Sequence, residues 1–131
     1  MKSIRKHIGE SVDITQLILD VDSYAKETGF RADEVEAIKT ASSELAHNIL
    51  KYAQKGEIFV RRIQIDHKKG LEVKSQDKGP GIKDIEQAMK DHFSSGKTLG
   101  LGLPGIQRLM DDFEIESVPN QGTTVIVRKW L

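Results

Sequence analysis

Two glycine clusters separated by a short polar stretch constrain this chain more than any other feature. Asp77-Lys78-Gly79-Pro80-Gly81-Ile82 and Gly100-Leu101-Gly102-Leu103-Pro104-Gly105 together hold five of the eleven glycines. Glycine is demanded where φ is positive or where backbone must approach another group closely. Between the clusters lies a Ser/Thr/Lys-containing segment, Ser94 to Thr98. The combination predicts a backbone-lined pocket with a lid over 93–99, and phosphate is the usual guest of such backbone.

Three patterns compete for this stretch. Gly96-Lys97-Thr98 matches the end of a P-loop, but the position that must hold that motif's first glycine is Asp91. Gly100-x-Gly102-x-x-Gly105 matches the dinucleotide fingerprint, which must follow a strand, and HFSSGKT before it is not one. The third pattern takes the clusters as a pair: an acidic Asp-x-Gly-x-Gly loop for a base, then a Gly-x-Gly loop for phosphates at a helix start. It requires a helix upstream with Glu and, four residues on, Asn.

At 131 residues the chain is expected to be one domain, 1–131, with a modest core of its own. Twenty Lys and Arg balance twenty Asp and Glu, so there is no basic footprint for nucleic acid. With no cysteine, disulfides and zinc thiolate sites are excluded, which fits a reducing cytosol. MKSIRKHIGE lacks the apolar stretch of a signal peptide, and Leu17-Ile18-Leu19 is far short of a membrane span. A cytoplasmic location is the expectation.

Along the chain, Ser3 to Ile8 alternates loosely as a short edge strand would. Asp13 is expected to cap a helix to about Thr28, with Ile14, Leu17, Ile18, Val21 and Ala25 at helical spacing and Gly29 as its stop. Asp33, with Glu36 three residues on, is expected to open a second helix to about Ala53, with Ile38, Leu45, Ile49 and Tyr52 as its core stripe. Glu44 and Asn48 lie on that helix four residues apart, at the edge of the stripe, and are therefore neighbours. Glu57 to Asp66 alternates as a strand, His67 to Gly70 reads as a hairpin loop, and Leu71 to Gln76 returns to deliver Asp77. Asp84 is expected to cap a short helix over 85–90. Gly102 to Asp112 reads as a helix with Pro104 in its first turn, and Leu103, Ile106, Leu109 and Met110 face the sheet. Phe113 to Val118 and Thr123 to Trp130 read as strands around a turn. The expected architecture is a two-layer α/β sandwich, a mixed sheet covered on one face by helices.

Glu44-x-x-x-Asn48, Asp77-x-Gly79-x-Gly81 and Gly100-x-Gly102, in this order, resemble the Bergerat (GHKL) ATP-binding fold of gyrase B, Hsp90, histidine kinases and MutL. The resemblance covers Asp13 through Trp130. Gyrase, Hsp90 and MutL attach further domains for which this length has no room. His7, His47, His67 and His92 are scattered, and none heads a phospho-accepting helical hairpin. The small serine/threonine protein kinases of bacterial partner-switching systems remain. The segments Ser43 to Ile49, Asp77 to Ile82, Gly100 to Phe113 and Lys129-Trp130-Leu131 are most similar to the RsbT-type switch kinases of the stressosome. Anti-sigma kinases of the RsbW type share the ATP site but usually lack the Leu-Pro-Gly run and the Arg-Leu-Met-Asp after it. Lys97-Thr98 depart from the smaller residues more usual in the family's lid.

That resemblance implies ATP and Mg²⁺ as ligands and assigns roles. Asp77 accepts the adenine amino group, Gly79 and Gly81 let backbone near the base, Ile82 packs by its face, and Thr123 is a second adenine contact. Asn48 offers a carbonyl oxygen to Mg²⁺. Amides of Gly100, Leu101, Gly102 and Leu103 cradle phosphates, Lys97 reaches a phosphate, and Glu44 is the base for the acceptor hydroxyl. His47 and His92 are taken as structural or exposed. The implied function is phosphorylation of STAS-domain partners, with activation of a PP2C-type phosphatase or similar effector on release. An anti-sigma factor, or a nucleotide-binding adaptor without transfer, are the alternatives.

Overall fold

The computed structural model describes residues 2–82, 89 and 102–131. Its strands form one five-stranded sheet in the order β1-β2-β3-β5-β4. They are β1 (Ser3–Ile8), β2 (Gly56–Ile65), β3 (Lys68–Asp77), β4 (Asp112–Val118) and β5 (Gly122–Trp130). The helices are α1 (Ser11–Thr28), α2 (Ala32–Asn48), continued by a π-helical turn over Ile49–Ala53, and α3 (Leu103–Leu109). The two-layer expectation holds. The sheet, however, is antiparallel in every described pairing rather than mixed.

Register explains why one face is covered. Ile4, Val60, Val73 and Val127 stand in one cross-strand row, and Ile58, Ser75 and Val125 in the next. All are buried, together with Ile14, Leu17 and Val21 of α1 and Val35, Ile38 and Leu45 of α2. Side chains alternate across a strand, so the intervening residues Phe59, Lys74 and Ile126 fall on the opposite face. Tyr24 joins the core unforeseen: its ring is fully buried, and its hydroxyl donates to the Lys2 carbonyl and accepts from the Arg62 amide. It ties α1 to the residue before β1 and to β2 at once.

Several boundaries differ from the expectation for local reasons. Asp13 does cap α1, but from its third position, accepting the Gly9 and Glu10 amides at 2.9 Å each. Likewise α2 starts at Ala32, with Glu34 rather than Glu36 reaching back to the Arg31 amide; Glu36 pairs with Lys39 instead. Tyr52 leaves the core stripe because the π turn rotates it outward, where it is exposed and meets the Lys51 ammonium. The β2–β3 hairpin turns on Asp66 and His67 alone, with Asp66 at φ 56°, so Lys68 to Gly70 belong to the strand. The helix α3 stops at Leu109: the Asp111 amide donates to the Arg128 carbonyl, and the Asp111 and Asp112 carboxylates accept the Trp130 backbone and indole N–H groups. The short helix expected over 85–90 and the lid over 93–99 lie outside the described residues.

Candidate nucleotide site

β3 ends at Asp77, and the chain turns at once. The Asp77 carboxylate accepts the Gly79 amide at 2.9 Å, an Asx turn that fixes one oxygen and leaves the other free of that bond. Asp77 pairs in register with Thr123 of β5, and Thr123 with Ser117 of β4. The three side chains thus form one row on the helix-covered face. Ser117 is the residue that sequence reasoning missed. Its hydroxyl accepts the Ile82 amide at 2.7 Å and lies 2.8 Å from the Thr123 hydroxyl. With the Asn120 amide donating to the Pro80 carbonyl, it pins the loop 78–82 to the β4–β5 hairpin. A lone serine in an alternating strand carries no sequence signal; only register reveals it.

The loop glycines are already required by their own chain. A Cβ on Gly79 would stand 2.6 Å from the Ala53 Cβ in the π turn, and one on Gly81, at φ 77°, would meet the Val118 carbonyl oxygen. The π turn therefore sets the height of the loop. Turns of this kind are frequent at functional sites.

Glu44 and Asn48 sit one turn apart on α2, Glu44 exposed and Asn48 half-buried beside it. The Glu44 carboxylate lies over Gly102, the N-cap of α3: a Cβ there would be 2.8 Å from Glu44 Oε2, and φ is 63°. The positive φ favours glycine, whereas the close atom is the end of an exposed side chain that can swing aside. Leu103 follows with its side chain buried in the core, so it offers only backbone to a ligand. From Glu44 to Ala53 the helix advances about 13 Å. One helix therefore carries the residue beside Gly102, Glu44, and the residue beside Gly79, Ala53, at the two ends of that span. His47 is exposed, with Nδ1 2.8 Å from the Ser43 carbonyl oxygen, outside this arrangement. Lys97, Gly100, Leu101 and His92 lie outside the described residues.

A model of the histidine kinase-like ATPase domain matches residues 10–129. The chain belongs to that family. Within it, the serine/threonine-protein kinase RsbT of Bacillus subtilis (strain 168) is 49% identical over 107 residues, 82% of this chain and 80% of that protein. The anti-sigma F factor of Caldanaerobacter subterraneus subsp. tengcongensis is 34% identical over 117 residues, 85% of this chain and 80% of its own length. A solved relative in fold is the histidine kinase domain of the blue-light activated kinase EL346 from Erythrobacter litoralis, with TM-score 0.55 and 16% identity. That match covers 90% of this chain and 59% of the solved one. The resemblance carried by the three motifs is thus borne out at family level, and the ATPase-domain match implies use of ATP. No helix among the described residues is long and apolar enough to cross a membrane.

Proposed function

We propose that this protein is an ATP-dependent serine/threonine protein kinase that modifies STAS-domain partners in a bacterial partner switch. The observation that carries the reading is the Glu44 carboxylate lying over Gly102, at the end of the site away from Asp77. That position suits a base acting where phosphate is transferred, rather than a group that merely holds the nucleotide.

In this reading Asp77 takes the adenine amino group, with Thr123 beside it and Ile82 at the base's face. Gly79 and Gly81 hold the loop in place. Gly102 and Leu103, with Gly100, Leu101 and Lys97, serve the phosphates. Asn48 fits Mg²⁺: its amide carbonyl is a hard oxygen ligand, and magnesium takes one or two protein ligands beside water and phosphate. The ion supplies charge neutralisation on the phosphates. Glu44 orients the acceptor serine and takes its proton as the hydroxyl oxygen bonds to the γ-phosphorus. The bond to the β,γ-bridging oxygen breaks, and ADP leaves. An added phosphate brings about −1.5 to −2 charges to the acceptor. That charge would release the modified partner and free the kinase for a PP2C-type phosphatase or similar effector.

The test is incubation of the purified protein with Mg²⁺ and γ-labelled ATP against a panel of bacterial STAS-domain proteins. Label on a serine or threonine of one of them is expected. Nucleotide binding without transfer to any acceptor would favour the adaptor. The similarity to an anti-sigma F factor supports a second reading, sequestration of a sigma subunit. Pull-down with sigma subunits and with PP2C-type phosphatases separates it from the first.

A further inference from the structure

The Ser117 hydroxyl has one proton to donate and two oxygens within reach of it, and their distances differ. One lone pair of Ser117 Oγ takes the Ile82 amide at 2.7 Å. The Gly122 carbonyl oxygen lies 3.3 Å away and the Thr123 hydroxyl 2.8 Å away. Hydroxyl donors reach oxygen acceptors at about 2.5–3.0 Å, so the Thr123 contact is a full hydrogen bond and the Gly122 contact a poor one. Were Thr123 the donor, the Ser117 proton would be left with the long contact alone. With Ser117 as donor the short contact takes its proton, and the Thr123 proton points elsewhere. Among the described residues no other partner engages the Thr123 hydroxyl.

We propose that Ser117 determines base specificity as a positioning residue: by donating to Thr123 it turns the Thr123 proton toward the base, and the site then selects an adenine over a guanine nucleotide. The proposal rests on the nucleotide reading of this site and deepens it, because Ser117 acts through Thr123 rather than on the base. Thr123 faces Asp77 across β3 and β5. Register partners hold their Cβ atoms about 4.5–5.5 Å apart, so both side chains can reach one edge of a planar base. A carboxylate only accepts, whereas a hydroxyl accepts or donates according to where its proton is sent. With Ser117 fixing that choice, Asp77 and Thr123 stand side by side as an acceptor and a donor. The pairing edge of adenine is their complement, since its 6-amino group donates and its N1 accepts. The pairing edge of guanine is the reverse, with O6 accepting and N1–H donating. A guanine there would set acceptor against acceptor and donor against donor, leaving both contacts unmade.

The experiment measures the affinities of the full chain for ATP and for GTP, with Mg²⁺ present, by calorimetric titration and by displacement where binding is weak. Wild type, Ser117→Ala, Thr123→Val and the double variant are compared. Wild type should prefer ATP. Ser117→Ala should lower that preference by roughly threefold to tenfold, the worth of one ordinary hydrogen bond. Thr123→Val should lower it at least as far, and adding Ser117→Ala to Thr123→Val should change it no further, because the serine works through the threonine. A looser 78–82 loop weakens both nucleotides alike and does not move the ratio. Equal losses of ATP and GTP affinity in Ser117→Ala therefore overturn the proposal and leave the nucleotide site standing. A fall in preference as large in the Thr123→Val background as without it overturns the route through Thr123, and with it the proposal. Equal affinity of the wild type for ATP and GTP overturns it as well. Binding of neither nucleotide by the wild type overturns the nucleotide reading itself.

Discussion

Asp77 and Ser117 illustrate what single residues carry. Asp77 stood out in the sequence because an acid within a glycine turn has few other uses, and the structure shows one oxygen committed to the Gly79 amide. Asp77→Asn keeps the shape of that turn but removes the charge. Nucleotide binding should weaken by roughly 1.5–3 kcal/mol, tenfold or more in Kd, with the melting temperature little changed. Calorimetric titration checks this, and an unchanged Kd would remove Asp77 from the pocket. Ser117 had no such signature, since its importance lies in being placed opposite Thr123 by strand register. Ser117→Ala leaves the half-buried Ile82 amide without its acceptor, a loss of about 1–3 kcal/mol. Faster hydrogen exchange at Ile82 and weaker nucleotide binding are expected together; exchange at the wild-type rate would show that the hydroxyl does not hold the loop.

Elements were legible where side-chain periodicity decides them and obscure where backbone hydrogen bonds do. The α1 and α2 stripes of Ile and Leu announced their helices, but the caps lie three and two residues earlier than expected because Asp13 and Glu34 act from the third position of their helices. Nothing in ILKYA distinguishes a π turn from the α-helix it continues, so Tyr52 was placed inside. That turn sets the loop's height through the Ala53–Gly79 approach. Gly79→Ala should therefore force the loop away from α2 and weaken nucleotide binding, at the order of 1–3 kcal/mol typical of overpacking. Adding Ala53→Gly removes the nearer obstacle, the Ala53 Cβ, although the Ala53 Cα at 2.9 Å remains, and should recover part of the affinity. A double variant no better than Gly79→Ala would show that the contact does not position the loop.

For the whole molecule, the two-layer form followed from the order of the elements, whereas strand directions followed from pairings that no local pattern encodes, which is why a mixed sheet was expected. Across its uncovered face Glu72 is buried between Arg61 and Arg128, at 2.9 and 3.0 Å. Burial alone pushes its carboxyl up, but the two arginine hydrogen bonds outweigh it and hold the group below the ordinary glutamate range. In the unfolded chain a glutamate titrates near about 4.3. The stabilisation is therefore fully present above that pH and is lost as pH falls through the lower folded value. Denaturation followed against pH should show wild type losing stability on acidification more steeply than Glu72→Gln. The central claim concerns the other end of the fold, where Glu44 and Asn48 share one helix face but are assigned different tasks. Nucleotide titration beside single-turnover phosphorylation of a STAS-domain acceptor, on wild type, Glu44→Gln and Asn48→Ala, tests it most directly. Asn48→Ala should lose Mg²⁺-dependent binding and transfer together. Glu44→Gln should bind ATP nearly normally and transfer phosphate more slowly by roughly 10²–10⁴, nearer the low end for a loose transition state. Transfer by Glu44→Gln at the wild-type rate would contradict the account.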